Sequence, residues 1–163
     1  MTVVRGSGSQ PLSHLDERGA AHMVDVSDKD VTKRTAVASG VLHTTAEVVN
    51  LISAGGLPKG DALATARVAG ILAAKRTSDL IPLCHHLALT GVDIDFEVAD
   101  AAVVVTASVR TTDRTGVEME ALTAVSVAAL TVYDMIKAVD PAARIDDIKL
   151  LTKAGGRTGE WRR

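Results

Sequence analysis

The sequence predicts an α+β fold, in which a mostly antiparallel sheet is covered by helices as in a ferredoxin-like sandwich. The predicted elements run strand, helix, helix, strand, strand, helix, strand, without the strict alternation typical of a parallel sheet. Two alternating segments joined by a short link predict an antiparallel hairpin. The 163 residues are 47% hydrophobic but only 2% aromatic, so we expect one domain with a core of small aliphatic side chains.

The composition also predicts how the chain is organised. We expect residues 1–12 to be a disordered lead-in, residues 13–159 to form a single domain and residues 160–163 to be a tail. Small branched side chains each bury little apolar area, so a lone subunit gains modest stabilisation from burial. The sequence therefore predicts a homo-oligomer.

Two extended segments and a helix are predicted in the amino-terminal part. Residues 22–27 alternate and predict a short extended segment, and residues 35–43 predict a strand. A helix is predicted over 44–54, because Thr44 and Glu47 have the spacing of a capping box.

A second helix and a hairpin follow. Gly55 and Gly56 end the first helix, and Asp61 is the predicted cap of a helix over 62–77. Residues 90–98 and 102–110 alternate apolar and polar side chains, which predicts the two strands of the hairpin.

The longest predicted helix runs from about residue 117 to residue 139. Thr115 and Glu118 again have capping-box spacing, and the pair at 140–141, Asp-Pro, ends the helix. A final strand is predicted over 145–151.

Charge, aromatic content and cysteine content exclude several classes of partner. The formal net charge of −2 gives no global attraction for nucleic acid, and the few aromatic residues argue against base-stacking surfaces. A single cysteine cannot form an intramolecular disulfide, which fits a reducing, cytoplasmic location. Charges interrupt every apolar run well before about 18 residues, so no membrane-spanning segment is predicted.

Titratable groups concentrate first in residues 81–86, I-P-L-C-H-H, behind a cationic helix end at 75–76. On a strand, His85 and His86 would point to opposite faces, so both cannot easily bind one metal. We expect one of them to be functional and the other structural or exposed. Cys84 is predicted to be a small buried hydrophobic residue rather than a nucleophile.

The second concentration lies on the longest helix. Asp134 and Lys137 are neighbours on one face, and they form either a solvated ion pair or an acid–base pair. Because the surrounding helix is apolar, we expect burial to shift both pKa values, as acid–base catalysis requires. Glu118 is either a residue that only caps the helix or a site residue. It lies 16 residues from Asp134. That is roughly 24 Å along a helix, so a shared site needs a second chain.

Standard cofactor, nucleotide and metal motifs are absent from the sequence. It has no G-x-x-x-x-G-K-[ST], no G-x-G-x-x-G, no C-x-x-C and no histidine pair at i and i+4. We therefore expect no cofactor and no metal. A polyphosphate would have to be held by lysine and arginine side chains.

Several blocks, which together run from about residue 22 to residue 159, resemble the MoaC family. They include H-M-V-D-V-S at 22–27, D-L-I-P-L-C-H at 79–85, T-G-V-E-M-E-A-L-T-A at 115–124 and Y-D-M at 133–135. This family comprises the cyclic pyranopterin monophosphate synthases of molybdenum cofactor biosynthesis. The chain departs from the family pattern at His86, where proline is usual, and at Arg114, where lysine is usual.

The resemblance implies that a MoaC-like catalytic domain converts 3′,8-cyclo-7,8-dihydro-GTP to cyclic pyranopterin monophosphate and releases pyrophosphate, without a cofactor. It implies a ferredoxin-like fold assembled as a homohexamer, a trimer of dimers, with the site at a subunit interface. Asp134 and Lys137 would be catalytic. The implied substrate-binding residues are Lys59, Lys75, Leu83, Cys84, His85, Glu118, Met119, Glu120, Arg34 and Lys153.

Two functions of other classes stay open at this point. A metal-dependent hydrolase would use His85, Asp79 and Glu120 as its ligands. A non-catalytic assembly module would use the small-residue helix faces for packing.

Overall fold

The computed structural model describes residues 18–157 and 159–163, and the predicted lead-in at 1–12 lies outside them. The α+β class is confirmed. The elements are β1 (Thr32–His43), α1 (Ala46–Ala54), α2 (Ala62–Lys75), α3 (Thr77–Leu80), β2 (Leu89–Ala99), β3 (Ala102–Asp113), α4 (Glu118–Ile136), β4 (Arg144–Ala154) and β5 (Trp161–Arg162).

All strand pairs in the sheet are antiparallel, as predicted. Within the described residues the strand order is β2-β3-β1-β4-β5. The predicted hairpin is confirmed, because Ala99 of β2 pairs with Ala102 of β3. Trp161, inside the predicted tail, pairs with Lys153 of β4. In contrast, residues 22–26 form no regular strand.

The helix ends show where local sequence patterns predict the capping residue correctly and where they do not. Asp61 caps α2, and Gly55 ends α1 in the left-handed conformation at φ 68°, both as predicted. The predicted capping box at Thr44 is wrong by one residue. The neighbouring Thr45 is the cap, since its hydroxyl accepts a hydrogen bond from the Val48 amide at 3.3 Å.

Small side chains form the core, as the composition predicts. α4 lies across β1, β3 and β4, and α2 packs on α4 and β2. The larger apolar residues of α4 do not all face inward: Leu130 is 57% exposed. Its buried stripe consists mainly of alanine and valine, because α4 approaches the sheet and α2 closely. The stripe comprises Ala121, Ala124, Val125, Ala128, Ala129, Val132 and Ile136.

Among the described residues, α4 alone is long and apolar enough to cross a membrane, judged by length and composition. Its buried stripe packs against the sheet and α2, which is the arrangement of a core helix in a folded domain.

Gly70 marks the closest approach of α2 to its neighbours. A β-carbon there would lie 2.3 Å from Ile94 Cδ1 and 2.9 Å from the Ala124 carbonyl oxygen. We expect Gly70→Ala to destabilise the domain by about 1–3 kcal/mol in urea denaturation, because an added methyl group overpacks this contact.

The control is Ala64→Gly, at an exposed position of α2. It should cost about 1 kcal/mol or less through helix propensity alone. Propensity by itself would make Gly70→Ala stabilising, so a stabilised variant would contradict the packing argument.

Candidate active site

Two distant segments meet in a cleft at the amino-terminal end of α4, which we call the narrow cleft because it has the smaller volume of two adjoining clefts. The cleft has a volume of about 400 Å³. Leu83, Cys84 and His85 line it from the loop after α3, and Met119 and Glu120 line it from the first turn of α4. The structure thus brings together residues that the resemblance assigned to substrate binding.

Burial governs the titratable groups of this narrow cleft. Glu120 is only 4% exposed, and burial raises the pKa of its carboxyl group, with a smaller contribution from the charge of Glu118. Burial also raises the pKa of the Cys84 thiol, and the charge of Glu120 adds to it. A protonated thiol is a weak nucleophile, which supports the interpretation of Cys84 as a packing residue, although it is only half-buried.

A larger, cationic cleft of about 560 Å³, which we call the wide cleft, adjoins the narrow one. Thr115, Gly116 and Glu118 line both clefts, as does Lys29. Among the described residues, the wide cleft is lined by more cations than carboxylates: Lys29, Arg34, Arg114, Lys153 and Arg157 against Asp28, Asp30 and Glu118. This excess of positive charge suits a phosphate chain.

Two glycines shape the wall of the wide cleft. A β-carbon on Gly156 would lie 2.2 Å from Arg34 Nη1, and one on Gly155, whose φ is 102°, would lie 2.1 Å from the Lys33 carbonyl oxygen. Gly156 therefore leaves room for the Arg34 guanidinium, and Gly155 lets the chain pass close to the backbone of β1. Arg34 Nε donates to the Asp113 carbonyl oxygen at 2.9 Å.

Glu118 does not cap α4, so the predicted capping box with Thr115 is wrong. No side chain caps this helix, and Val117 occupies the cap position. The Glu118 carboxylate instead accepts a hydrogen bond from Lys153 Nζ at 3.0 Å. This pair joins the start of α4 to β4, between the two clefts.

Asp134 lies near the other end of α4 between two ammonium groups. Lys137 Nζ is 2.7 Å from Asp134 Oδ1, and Lys59 Nζ is 2.8 Å from Oδ2. Lys59 also donates to the Asp134 carbonyl oxygen at 2.8 Å. The loop between α1 and α2 thus adds Lys59 to the predicted pair.

The expected burial of this pair is wrong. Asp134 lies on the exposed side of α4 and Lys137 directly follows the helix, and both side chains are about half exposed. Hydrogen bonds from Lys137 and then Lys59 lower the pKa of Asp134 to about 2. The hydrogen bond to Asp134 raises the pKa of Lys137. At neutral pH the cluster is therefore a carboxylate held by ammonium groups.

The Asp134 cluster and the clefts are separated within one chain. α4 is continuous from Glu118 to Ile136, so Glu118 and Asp134 are roughly 24 Å apart along its axis. Lys75 is exposed at the end of α2 and lines neither cleft.

Comparison with known proteins identifies the family. A model of the MoaC family matches residues 23–156. The chain belongs to the MoaC family.

Relatives in this family match nearly the whole chain. The chain is 76% identical over 166 residues to cyclic pyranopterin monophosphate synthase 2 of Mycobacterium tuberculosis (strain ATCC 25618 / H37Rv), which covers 99% of each protein. It is 65% identical over 161 residues to cyclic pyranopterin monophosphate synthase of Streptomyces coelicolor, covering 97% of this chain and 95% of that protein. With the enzyme of that name in Roseiflexus castenholzii, identity is 60% over 151 residues, or 91% and 96% of the two chains.

The ligand set of the alternative hydrolase does not come together in this MoaC-family chain. His85 and Glu120 line the narrow cleft, but Asp79 lies exposed on α3 and does not line it. The part of the chain that the structure describes contains no group of three histidine, cysteine, aspartate or glutamate residues placed to hold a metal ion.

Proposed function

We propose that this MoaC-family chain is a cyclic pyranopterin monophosphate synthase. It converts 3′,8-cyclo-7,8-dihydro-GTP to cyclic pyranopterin monophosphate and releases pyrophosphate. The observation that carries the proposal is the 60–76% identity, over nearly the whole chain, to proteins that bear this name. The two adjoining clefts support it, because one is lined in part by apolar side chains while the other is cationic.

The substrate would span both clefts. Its ring system would lie in the narrow cleft against Leu83 and Met119, where Glu120 offers a carboxyl group to ring nitrogens. Its triphosphate would lie in the wide cleft, where Arg34 and Lys153 neutralise the charge on the phosphates and on the leaving pyrophosphate.

Asp134 and Lys137 would carry the proton transfers of ring opening and pterin ring closure. The pair places a proton acceptor and a proton donor 2.7 Å apart. General acid–base catalysis works best when pKa values lie near the working pH, whereas the Asp134 pKa of about 2 is far below it. We therefore expect a bound substrate and a second subunit to desolvate this pair and move both pKa values toward neutrality.

The finer architecture forms part of the same proposal. The succession β4-β1-β3-β2 within the sheet supports a ferredoxin-like fold. We propose that residues 13–159 are the catalytic domain and that the chain assembles as a homohexamer, a trimer of dimers, in the cytoplasm. The reaction transfers protons and a phosphoryl group without net oxidation, so it needs no redox cofactor, and we propose neither nucleic acid nor membrane as a partner.

The test is to incubate the purified protein with the cyclic triphosphate and to measure pyrophosphate and the pterin product together. Formation of both products in equal amounts is expected. Pyrophosphate without the pterin would indicate a hydrolase, and no release of either would contradict the proposal.

The two adjacent histidines should differ in their effects. His85 donates from Nε2 to the Val24 carbonyl oxygen at 2.7 Å inside the narrow cleft, whereas His86 is exposed and hydrogen-bonds Ser78 Oγ at 3.0 Å. We expect His85→Ala to impair pyrophosphate release by roughly tenfold, the loss of one net hydrogen bond, because the bond to Val24 disappears.

His86→Pro restores the usual family residue. Its rate should stay within about twofold of the original rate, a smaller change than the loss of one net hydrogen bond would cause. Steady-state kinetics on both variants, with circular dichroism to confirm folding, makes the comparison. Greater sensitivity at His86 would contradict the assignment of His85 to the site.

A further inference from the structure

We propose that residues 24–30 form a strap that carries Lys29 to the junction of the two clefts, where Lys29 binds the phosphate chain. His85 and Arg114 are positioning residues that hold this strap by its main chain. The identity of the phosphate ligand rests on the proposed function, whereas the contacts that hold the strap do not.

Two side chains attach the strap to the body of the domain. His85 Nε2 donates to the Val24 carbonyl oxygen at 2.7 Å, and Arg114 Nη1 donates to the Ser27 carbonyl oxygen. Both bonds are made to main-chain oxygens, so they fix the path of the strap whatever side chains it carries. Because the carbonyl takes up Nε2, this nitrogen of His85 serves the protein rather than a phosphate.

The strap is shaped from within by two overlapping turns. Asp25 Oδ1 accepts hydrogen bonds from the Ser27 amide at 2.8 Å and from its hydroxyl at 2.6 Å. The Lys29 amide then donates to the Val26 carbonyl oxygen at 3.0 Å. These hydrogen bonds lower the pKa of Asp25, with smaller contributions from Arg114 and His85, so the carboxylate is charged and close to both attaching side chains.

Much of the strap's surface is exposed in the part of the chain that the structure describes. Asp25, Ser27 and Asp28 are exposed, as are the flanking Met23 and Val31. A segment with little buried apolar surface has low local stability. The bonds from His85 and Arg114 therefore matter more here than they would in the core.

The position of Lys29 gives the strap its function. Among the cations that the structure describes around the clefts, Lys29 alone lines both. An ammonium group there reaches a phosphate that leaves the narrow cleft for the wide one. Arg114 stands where the family usually has lysine; its guanidinium has five N–H donors, so it can bond Ser27 and still face the wide cleft.

The first test is a double-mutant cycle with Lys29→Met, His85→Ala and the combined variant, measured by pyrophosphate release. We expect Lys29→Met to raise KM by roughly tenfold, the loss of one charge-assisted hydrogen bond, with kcat nearly unchanged. If His85 acts through the strap, adding His85→Ala to Lys29→Met changes KM by less than about twofold, because coupled residues are non-additive. If the two substitutions instead raise KM by independent factors that multiply in the combined variant, the positioning role of His85 is overturned.

Lys33→Met is the matched control for charge. Lys33 is exposed on β1 and lines neither cleft, so its KM should equal that of the original protein. A similar rise in KM for Lys33→Met would show that Lys29 acts only through net charge and would overturn its assignment as a binding residue.

The second test needs no substrate. Amide hydrogen exchange across residues 24–30 should accelerate in His85→Ala and in Arg114→Ala but stay unchanged in Lys29→Met. Unchanged exchange in the first two variants would overturn the attachment. If the original protein releases no pyrophosphate, the proposed function fails, but the strap can still be tested. The exchange result decides the attachment, and weaker binding of inorganic tripolyphosphate by Lys29→Met than by the original protein decides the role of Lys29.

Discussion

Replacing Asp134 with asparagine is expected to abolish most pyrophosphate release, by roughly a hundredfold or more, the usual contribution of a general acid–base group. Asparagine keeps the size of the side chain but can neither take up a proton nor balance the charges of Lys59 and Lys137. The hydrogen bonds at 2.7 and 2.8 Å from these two lysines would lose their ionic character. Steady-state kinetics measures the effect.

Asp93→Asn is the matched control for this substitution. Asp93 is also an exposed, ion-paired carboxylate, 57% exposed against 54% for Asp134, and it lies 2.6 Å from Arg110. It lines neither cleft, so Asp93→Asn should retain full activity. Circular dichroism and size-exclusion chromatography should show both variants folded and assembled. A loss below about tenfold for Asp134→Asn would mean that another group is the main acid–base residue.

The secondary structure was predictable wherever apolar and polar side chains repeat with one clear period along the chain. The alternation in 90–98 and 102–110 predicts β2 and β3, whose pairing the structure confirms. Cap positions were harder, because adjacent residues offer the same chemistry, as Thr44 and Thr45 do. Glu118 has capping-box spacing, yet its partner is Lys153, 35 residues along the chain. Local spacing cannot show that a distant strand supplies a better partner.

The site was predictable only in part, because several of its contacts join residues that are distant in sequence. The apolar helix pattern alone gave the wrong burial, because Asp134 lies on the exposed side of α4. The hydrogen bonds that lower its pKa include one from Lys59, which lies 75 residues away in sequence. Lys29 and the glycines at 155–156 were missed as site residues. The Asp25-x-Ser27 spacing of a side-chain turn, followed by a lysine, was the available signal for the strap.

Mixing two inactive variants is expected to restore activity if two subunits complete each site. One variant carries Asp134→Asn; the other carries Glu118→Gln and Glu120→Gln. The two altered regions lie roughly 24 Å apart on one α4, too far for a single small substrate. After joint refolding at equal amounts, roughly a quarter of the sites would combine two unaltered halves under random association in a closed oligomer.

The matched control places all three substitutions in one chain and refolds it with an equal amount of the original protein. Sites shared between subunits would again retain roughly a quarter of full activity, whereas sites complete within one chain would retain roughly half. Light scattering during size exclusion gives the number of subunits. A monomer with full activity, or a mixture of inactive variants that stays inactive while the control retains half, would contradict the shared site. The quarter-activity result in both mixtures would place Asp134 of one chain beside the clefts of another, because no arrangement within a single α4 brings those groups together.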